Sequence, residues 1–233
     1  MNTHTVKRYE DELNLLKEKM LSMAGLVEKA VRRSMKSLLR QDIKRAQKVI
    51  DRDDAINALE VEIDEMTRSM LALRQPAAGD LRFIIATIKI VSDLERSGDL
   101  AESIAEFMLQ TEEHPLTHTS TLESMSELVI SQIHDALNSF AKSDLEAALR
   151  CIEGDKKINN LYKTIQRETL TYMMEDPRQI SAGMIISNVA KNLERIGDHG
   201  VNIAEMAIYM VKGRDVRHIN HKAARSMIDP EQD

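Results

Sequence analysis

The sequence predicts an all-α protein made of two tandem, sequence-related three-helix bundles, six helices in all. Three observations carry that prediction. Apolar residues recur at three- and four-residue steps along nearly the whole chain, the spacing that lines one face of a helix. Ala, Leu, Glu, Lys, Arg, Ile and Met dominate while Gly and Pro are scarce, a composition rich in helix formers and poor in strand formers. The second half of the chain also repeats the apolar pattern of the first.

The elements follow in order. Leu13, Leu16, Met20, Met23, Val27, Val31, Met35 and Leu38 form the first stripe. Asp42 then suits an N-cap, where a short carboxylate accepts from the free amides of a new first turn. Val49, Ile56, Leu59, Ile63, Met66, Met70 and Leu73 make the second stripe, stopped at Gln75-Pro76 because a residue before proline disfavours helix. Phe83 to Leu109 is the third helix. A loop around Pro115 follows, with Ser120 or Thr121 as the next cap. Leu122 to Phe140, Asp144 to Met174 and Ile180 to Val211 are the fourth, fifth and sixth helices, with Asp176-Pro177 breaking the fifth and Gly213 suited to the C′ position of the sixth. The segments are thus 1–112 and 118–213 for the two repeats, and 214–233 for a polar tail expected to be loose.

The repeat has a register. A shift of 102 places Met20 on Leu122, Val27 on Val129, Val31 on Ile133, Leu38 on Phe140, Asp42 on Asp144, Asp53 on Asp155 and Ile56-Asn57 on Ile158-Asn159. After the proline loop the shift becomes 99, and Leu94-Glu95-Arg96-Ser97-Gly98-Asp99 falls on Leu193-Glu194-Arg195-Ile196-Gly197-Asp198. Two packings suit such halves: bundles joined end to end, or one six-helix bundle.

Composition excludes several functions. The net charge is −6, with basic residues interleaved with acids along helix faces; nucleic-acid binding needs a basic patch instead. Cys151 is the only cysteine, so no internal disulfide forms, and a small buried core residue is expected. Met1 to Glu12 is polar and charged, without the apolar stretch of a signal peptide. The longest apolar run, Phe83 to Val91, is interrupted by Lys89, far short of the roughly 20 residues that span a bilayer. A cytoplasmic location is expected. The 14 methionines follow the core stripes.

The candidate site is a doubled set of carboxylates. In the third helix, Glu95, Asp99 and Glu106 lie on a different side from the apolar stripe of Ile90, Leu94, Ala101 and Ala105. Glu194, Asp198 and Glu205 do the same in the sixth. Glu-x-x-x-Asp is one helical turn, so both carboxylates point at a common spot. Like charges at i,i+4 destabilise a helix by a few tenths of a kcal/mol, and a hard divalent cation would offset that repulsion through oxygen ligands. Asp53 and Asp155 on the preceding helix are weaker candidate ligands. Gly98 and Gly197 permit a close approach of a neighbouring helix, a ligand or a partner, while costing about 1 kcal/mol each against alanine. Arg96 and Arg195 are candidates to pair with the Asp three residues on, or with an anion. His199 follows Asp198, but its counterpart is Leu100, so an exposed histidine is expected. From the spacing alone, a metal role, a partner role and a merely solvated face all stay open. No Gly-rich phosphate loop, Gly-x-Ser-x-Gly, Cys-x-x-Cys or Glu-x-x-His is present, so a non-enzymatic protein is expected.

Through these residues the chain resembles the PhoU domain family. The resemblance rests on Gln75-Pro-Ala-Ala-Gly-Asp-Leu-Arg82, Leu94-Glu-Arg-Ser-Gly-Asp99 with Ile104-Ala-Glu106, and Asn192-Leu-Glu-Arg-Ile-Gly-Asp198 with Asn202-Ile-Ala-Glu205. Thr171-Tyr-Met-Met-Glu-Asp-Pro177 and Tyr209 to His218 are similar to its proteobacterial members. The resemblance implies tandem three-helix bundles and a regulator of phosphate uptake that keeps the phosphate-starvation response off. It implies an adaptor between the ATPase subunit of a phosphate ABC importer and a sensor histidine kinase, working as a homodimer. It also implies divalent or iron-type metal ions, with Mg, Mn and Fe not distinguished, on Glu95 and Asp99 and on Glu194 and Asp198. Asn57 and Asn159 stand where the family often has a further Asp, and Ser97 and Leu100 depart from its usual motif, which makes the second half the better-preserved site. Two alternatives remain at this stage: a carboxylate-bridged metalloenzyme and a metal-independent structural bundle.

Overall fold

The structure, a computed structural model, describes residues 3–112, 115–216 and 225. Among them are six long helices and one short one: α1 (Thr3–Arg40), α2 (Ile43–Ile50), α3 (Asp53–Arg74), α4 (Ala78–Leu109), α5 (Ser120–Lys142), α6 (Leu145–Glu175) and α7 (Ile180–Lys212). Single 3₁₀ turns at Gln110–Glu112 and Pro177–Gln179 flank the connections. No helix of the described residues is long and apolar enough to cross a membrane.

The caps follow the chain's chemistry. Asp42 accepts from the Arg45 amide at 3.0 Å, and its counterpart Asp144 accepts from the Ala147 amide at 3.0 Å. α3 ends on Gln75 in the left-handed region, and α7 ends on Gly213 with φ 67°. Asp176 closes α6 and caps the Pro177 turn through the Arg178 amide at 3.0 Å. Two boundaries differ from expectation. α5 is preceded by Thr119 rather than capped by Ser120 or Thr121, and Thr119 makes no side-chain cap bond. α4 starts at Ala78, five residues before Phe83.

The second helix of the first half is broken, whereas its counterpart α6 is continuous. The break falls at Asp51-Arg52, where the Arg52 amide reaches only three residues back, to the Val49 carbonyl at 3.1 Å. The charges account for it. Asp is a poor helix former, and acids are unfavourable at the end of α2 but favourable in the first turn of α3, which holds Asp53 and Asp54.

Each half is a three-helix bundle, α1 with α2–α3 and α4, then α5 with α6 and α7. The halves lie side by side, joined by α4 against α7 and α1 against α5. They are not placed end to end. Asn202 Nδ2 on α7 donates to Asp93 on α4 at 3.0 Å, and Asn192 Nδ2 on α7 donates to Ser103 on α4 at 3.1 Å. These pairs exchange places under the repeat, since Asp93 matches Asn192 and Ser103 matches Asn202. The α4–α7 contact is therefore antiparallel and pseudo-twofold. Phe83 and Phe140 stack across the halves at 5.8 Å. One continuous core results, with Leu94, Ile104, Leu193 and Ile203 all fully buried; each such side chain contributes about 1.5–3 kcal/mol.

Cys151 is buried. Met20, Met23, Met35, Met70, Met108, Met125 and Met206 are core, but Met174 and Met184 are exposed. His118 stacks on Tyr172 at 4.1 Å. Most of the expected tail, 217–224 and 226–233, lies outside the described residues.

Candidate functional site

Gly98 brings α3 onto α4. A Cβ there would meet Ile56 Cδ1 at 3.1 Å and Asp53 Oδ1 at 3.4 Å. Gly197 does the same on the other side, where a Cβ would meet Gln132 Oε1 at 3.0 Å and Ile158 at 3.5 Å. The helix glycines therefore serve close helix packing, and that packing carries the Asp of one helix to the acidic face of the next.

In the first half, Asp53, Asp99 and Glu102 each place one oxygen within 4.8 Å of the others. Oxygens that each lie about 2.0–2.6 Å from one hard cation can be no more than about 4–5 Å apart, and this group falls within that limit. Glu95 lies close enough to Asp99, and to Glu60 on α3, to feel both charges. Glu95, Asp99, Glu102 and Glu106 run at steps of four, three and four, so they form one ladder up α4. Glu102 and Glu60 were not foreseen, although the three-residue step from Asp99 was the signal that marks Glu102. Asn57 Nδ2 donates to Asp53 Oδ2 at 2.8 Å, leaving Asn57 Oδ1 buried without a hydrogen-bond partner among the described residues.

The second half repeats part of this. Asn159 Nδ2 donates to Asp155 Oδ2 at 2.6 Å. Asp155, Asp198 and Glu205 line an open cleft of about 480 Å³ with Arg195, His199 and Asn202. Glu194 lies beside it, sensing Asp198 and Asp155. The ladder is incomplete, because Glu102 and Glu60 correspond to Val201 and Tyr162. Among the described residues, the tight three-carboxylate group is in the first half, although the sequence resemblance pointed to the second.

Electrostatics mark both halves. Burial raises the pKa of Asp53, despite the hydrogen bond from Asn57, and Asp99 raises it further. Burial, then Asp53, Glu106 and Asp99, push Glu102 up. Burial, then Asp99 and Glu60, push Glu95 up. Burial, then Asp155, push Asp198 up; burial, then Asp198, do so for Glu194. Each shift says the same thing: ionised carboxylates are crowded and short of positive charge. Arg96 and Arg195 relieve the crowding only in part: Arg96 pulls Glu95 down and Arg195 pulls Glu194 and Asp198 down, but burial and the neighbouring acids outweigh them. An all-oxygen, hard donor set with an orphaned amide oxygen beside it fits Mg, Mn or Fe.

His199 departs from expectation. It is buried, and its Nδ1 lies 2.8 Å from Asp93 Oδ1. The reason is the α4–α7 packing: its counterpart Leu100 is also buried, so the position is interior in both copies.

The PhoU domain family model matches residues 20–108 and again 122–207. A "Phosphate-specific transport system accessory protein PhoU" of Serratia marcescens is 38% identical over 231 residues, covering 98% of this chain and 94% of its own. The crystal structure of PhoU from Pseudomonas aeruginosa superposes with a TM-score of 0.85 at 43% identity, over 88% of this chain and 100% of that one. That of the phosphate transport system regulatory protein PhoU from Streptococcus pneumoniae gives 0.82 at 30%, over 89% and 99%.

Proposed function

The chain belongs to the PhoU family, and from that premise we propose that it is a phosphate-transport accessory protein that regulates by binding and not by catalysis. It restrains the phosphate-starvation response as a cytoplasmic adaptor between the ATPase subunit of a phosphate ABC importer and its sensor histidine kinase. It does so as a homodimer. The observation that carries the reading is the pair of PhoU domains, spanning both halves of a chain whose relatives are named as accessory and regulatory proteins of phosphate transport.

The metal reading joins it. Asp53, Asp99 and Glu102, with Glu95 beside them, would hold divalent or iron-type cations in the first half. Asp155, Glu194 and Asp198 would do so in the second. The cations would neutralise two acidic ladders and so set the charge of the surface offered to a partner. The raised carboxylate pKa values support this.

Deleting the gene should raise phosphatase expression in phosphate-rich medium; expression that stays low overturns the regulatory role. Co-purification with the ATPase subunit and the kinase should succeed with the native chain and weaken with Asp99→Asn/Asp198→Asn. Metal analysis of Glu102→Val, which installs the second-half residue, should show less bound Mn than the native chain; equal content overturns the first-half site.

A further inference from the structure

The first half carries a second cleft, of about 160 Å³, between α1, α2 and the start of α3. Its floor is apolar: Leu26, Ala30, Val49 and Ile56. Its rim is cationic: Lys29 and Arg33 on α1, Lys48 on α2, and Arg52 at the break between α2 and α3. None of these four makes a side-chain ion pair or hydrogen bond among the described residues. Their neighbours do: Arg32 pairs with Glu28 at 3.1 Å and Arg45 with Asp42 at 3.2 Å. Asp53 is the one acid on the lining, so four cations face one carboxylate.

The repeat supplies an internal control. Under the shift of 102, Lys29, Arg33 and Arg52 become Ser131, Asp135 and Gly154, and Lys48 becomes Arg150. Arg150 is neutralised by Asp135 at 3.6 Å. Ala30 becomes Gln132, which is buried, donates from Nε2 to the Cys151 carbonyl at 3.0 Å, and reaches to 3.0 Å from where a Gly197 Cβ would stand. The second copy therefore fills the same space with its own side chain and cancels the charge. The helix break that places Arg52 on the rim is also confined to the first copy. A duplicated fold that stays plugged and neutral on one side, but open and cationic on the other, has a different use for the open side.

We propose that this cleft binds a nucleoside phosphate, with the ring on the apolar floor and the phosphoryl group on Lys29, Arg33, Lys48 and Arg52. A cavity of about 150 Å³ lined by aliphatic side chains admits one aromatic ring. Guanidinium groups match phosphoryl oxygens through paired, charge-assisted hydrogen bonds. A sugar phosphate would leave the apolar floor unused, and a bare oxyanion would leave it empty.

The test is calorimetric titration of the full chain with ADP, adenosine and pyrophosphate, run in EDTA so that the carboxylate ladders hold no cation. ADP should bind at least tenfold tighter than either fragment. Ala30→Gln, which imports the plug of the second half, and Arg33→Gln/Arg52→Gln, which changes only rim residues, should each weaken ADP at least tenfold. Circular-dichroism melting checks that both variants stay folded. No heat with millimolar ADP overturns the proposal. So does pyrophosphate binding as tightly as ADP, or unchanged ADP affinity in the rim variant.

Discussion

Asp93 on α4 and His199 on α7 meet at 2.8 Å, across the boundary between the two repeats. The same Asp93 oxygen accepts from Asn202 Nδ2 at 3.0 Å. Both partners are mostly buried, with side chains 10% and 14% exposed for His199 and Asp93. Asp93→Ala removes the acceptor and leaves the buried His199 Nδ1 without its partner, while the exposed Asn202 turns to water. A loss of about 1–3 kcal/mol follows, read as a lower urea midpoint with an unchanged slope. An unchanged midpoint would mean the halves are held by apolar packing alone.

The glycines divide into two kinds. A Cβ at Gly154 meets nothing within 4 Å, so Gly154→Ala should stabilise by about 0.5–1 kcal/mol through helix propensity. Gly98→Val drives two methyls toward Ile56 and Asp53, which sit 3.1–3.4 Å from the Cβ position, and should cost about 1–3 kcal/mol. Thermal melts of the two variants should move in opposite directions.

Stability should fall as pH rises above the ordinary carboxylate range. The pKa values of Asp53, Glu95, Glu102, Glu194 and Asp198 are raised in the folded chain, by burial first and by neighbouring acids after it. Between the unfolded values of about 4 and the raised folded values, the native state binds more protons than the unfolded one. Stability is therefore greatest below that window and is lost as pH rises through it. Glu12 and Asp176 act the other way, held down by Arg74 and Arg178, and they matter only near or below pH 4. Urea unfolding of metal-free protein should give a higher free energy at pH 5 than at pH 7.5. Glu102→Gln should shrink the difference, and Mn should shrink it by stabilising the ionised form at pH 7.5. A metal-free chain more stable at pH 7.5 contradicts this.

Cys151 should resist labelling. It is 1% exposed, its Sγ donates to the Gly200 carbonyl at 3.4 Å, and burial pushes its thiol pKa far above the ordinary value. Since the thiolate is the reactive form, a thiol-specific disulfide reagent should react only as fast as the chain unfolds. Prompt reaction in native buffer would show an opening at the α6–α7 contact.

Much of this was legible in the order of residues. Helix periodicity, the caps at Asp42 and Asp144, the stops at Gln75 and Gly213 and the repeat register are local. They depend on which atoms stand three or four residues apart, and the chain states that directly. The pairings of Glu95 with Asp99 and of Glu194 with Asp198 are of the same kind. The break at Asp51-Arg52 was not legible there: the apolar stripe from Val49 to Leu73 runs across it without a gap, so one continuous helix was expected.

What lies between helices was not. Periodicity says that a face is buried but not which helix buries it, so His199 was expected outside when the α4–α7 contact puts it inside. Charge counting cannot distinguish four paired cations from four unpaired ones around a cleft. Nor can it show that Gln132 fills in one half the space that Ala30 leaves open in the other. By itself the sequence determined the helices, their repetition and their acidic faces, because those follow from spacing along one chain. Only the tertiary structure decided how the halves meet, which carboxylates converge and where a cavity survives, because those depend on distances between residues far apart in order and close in space.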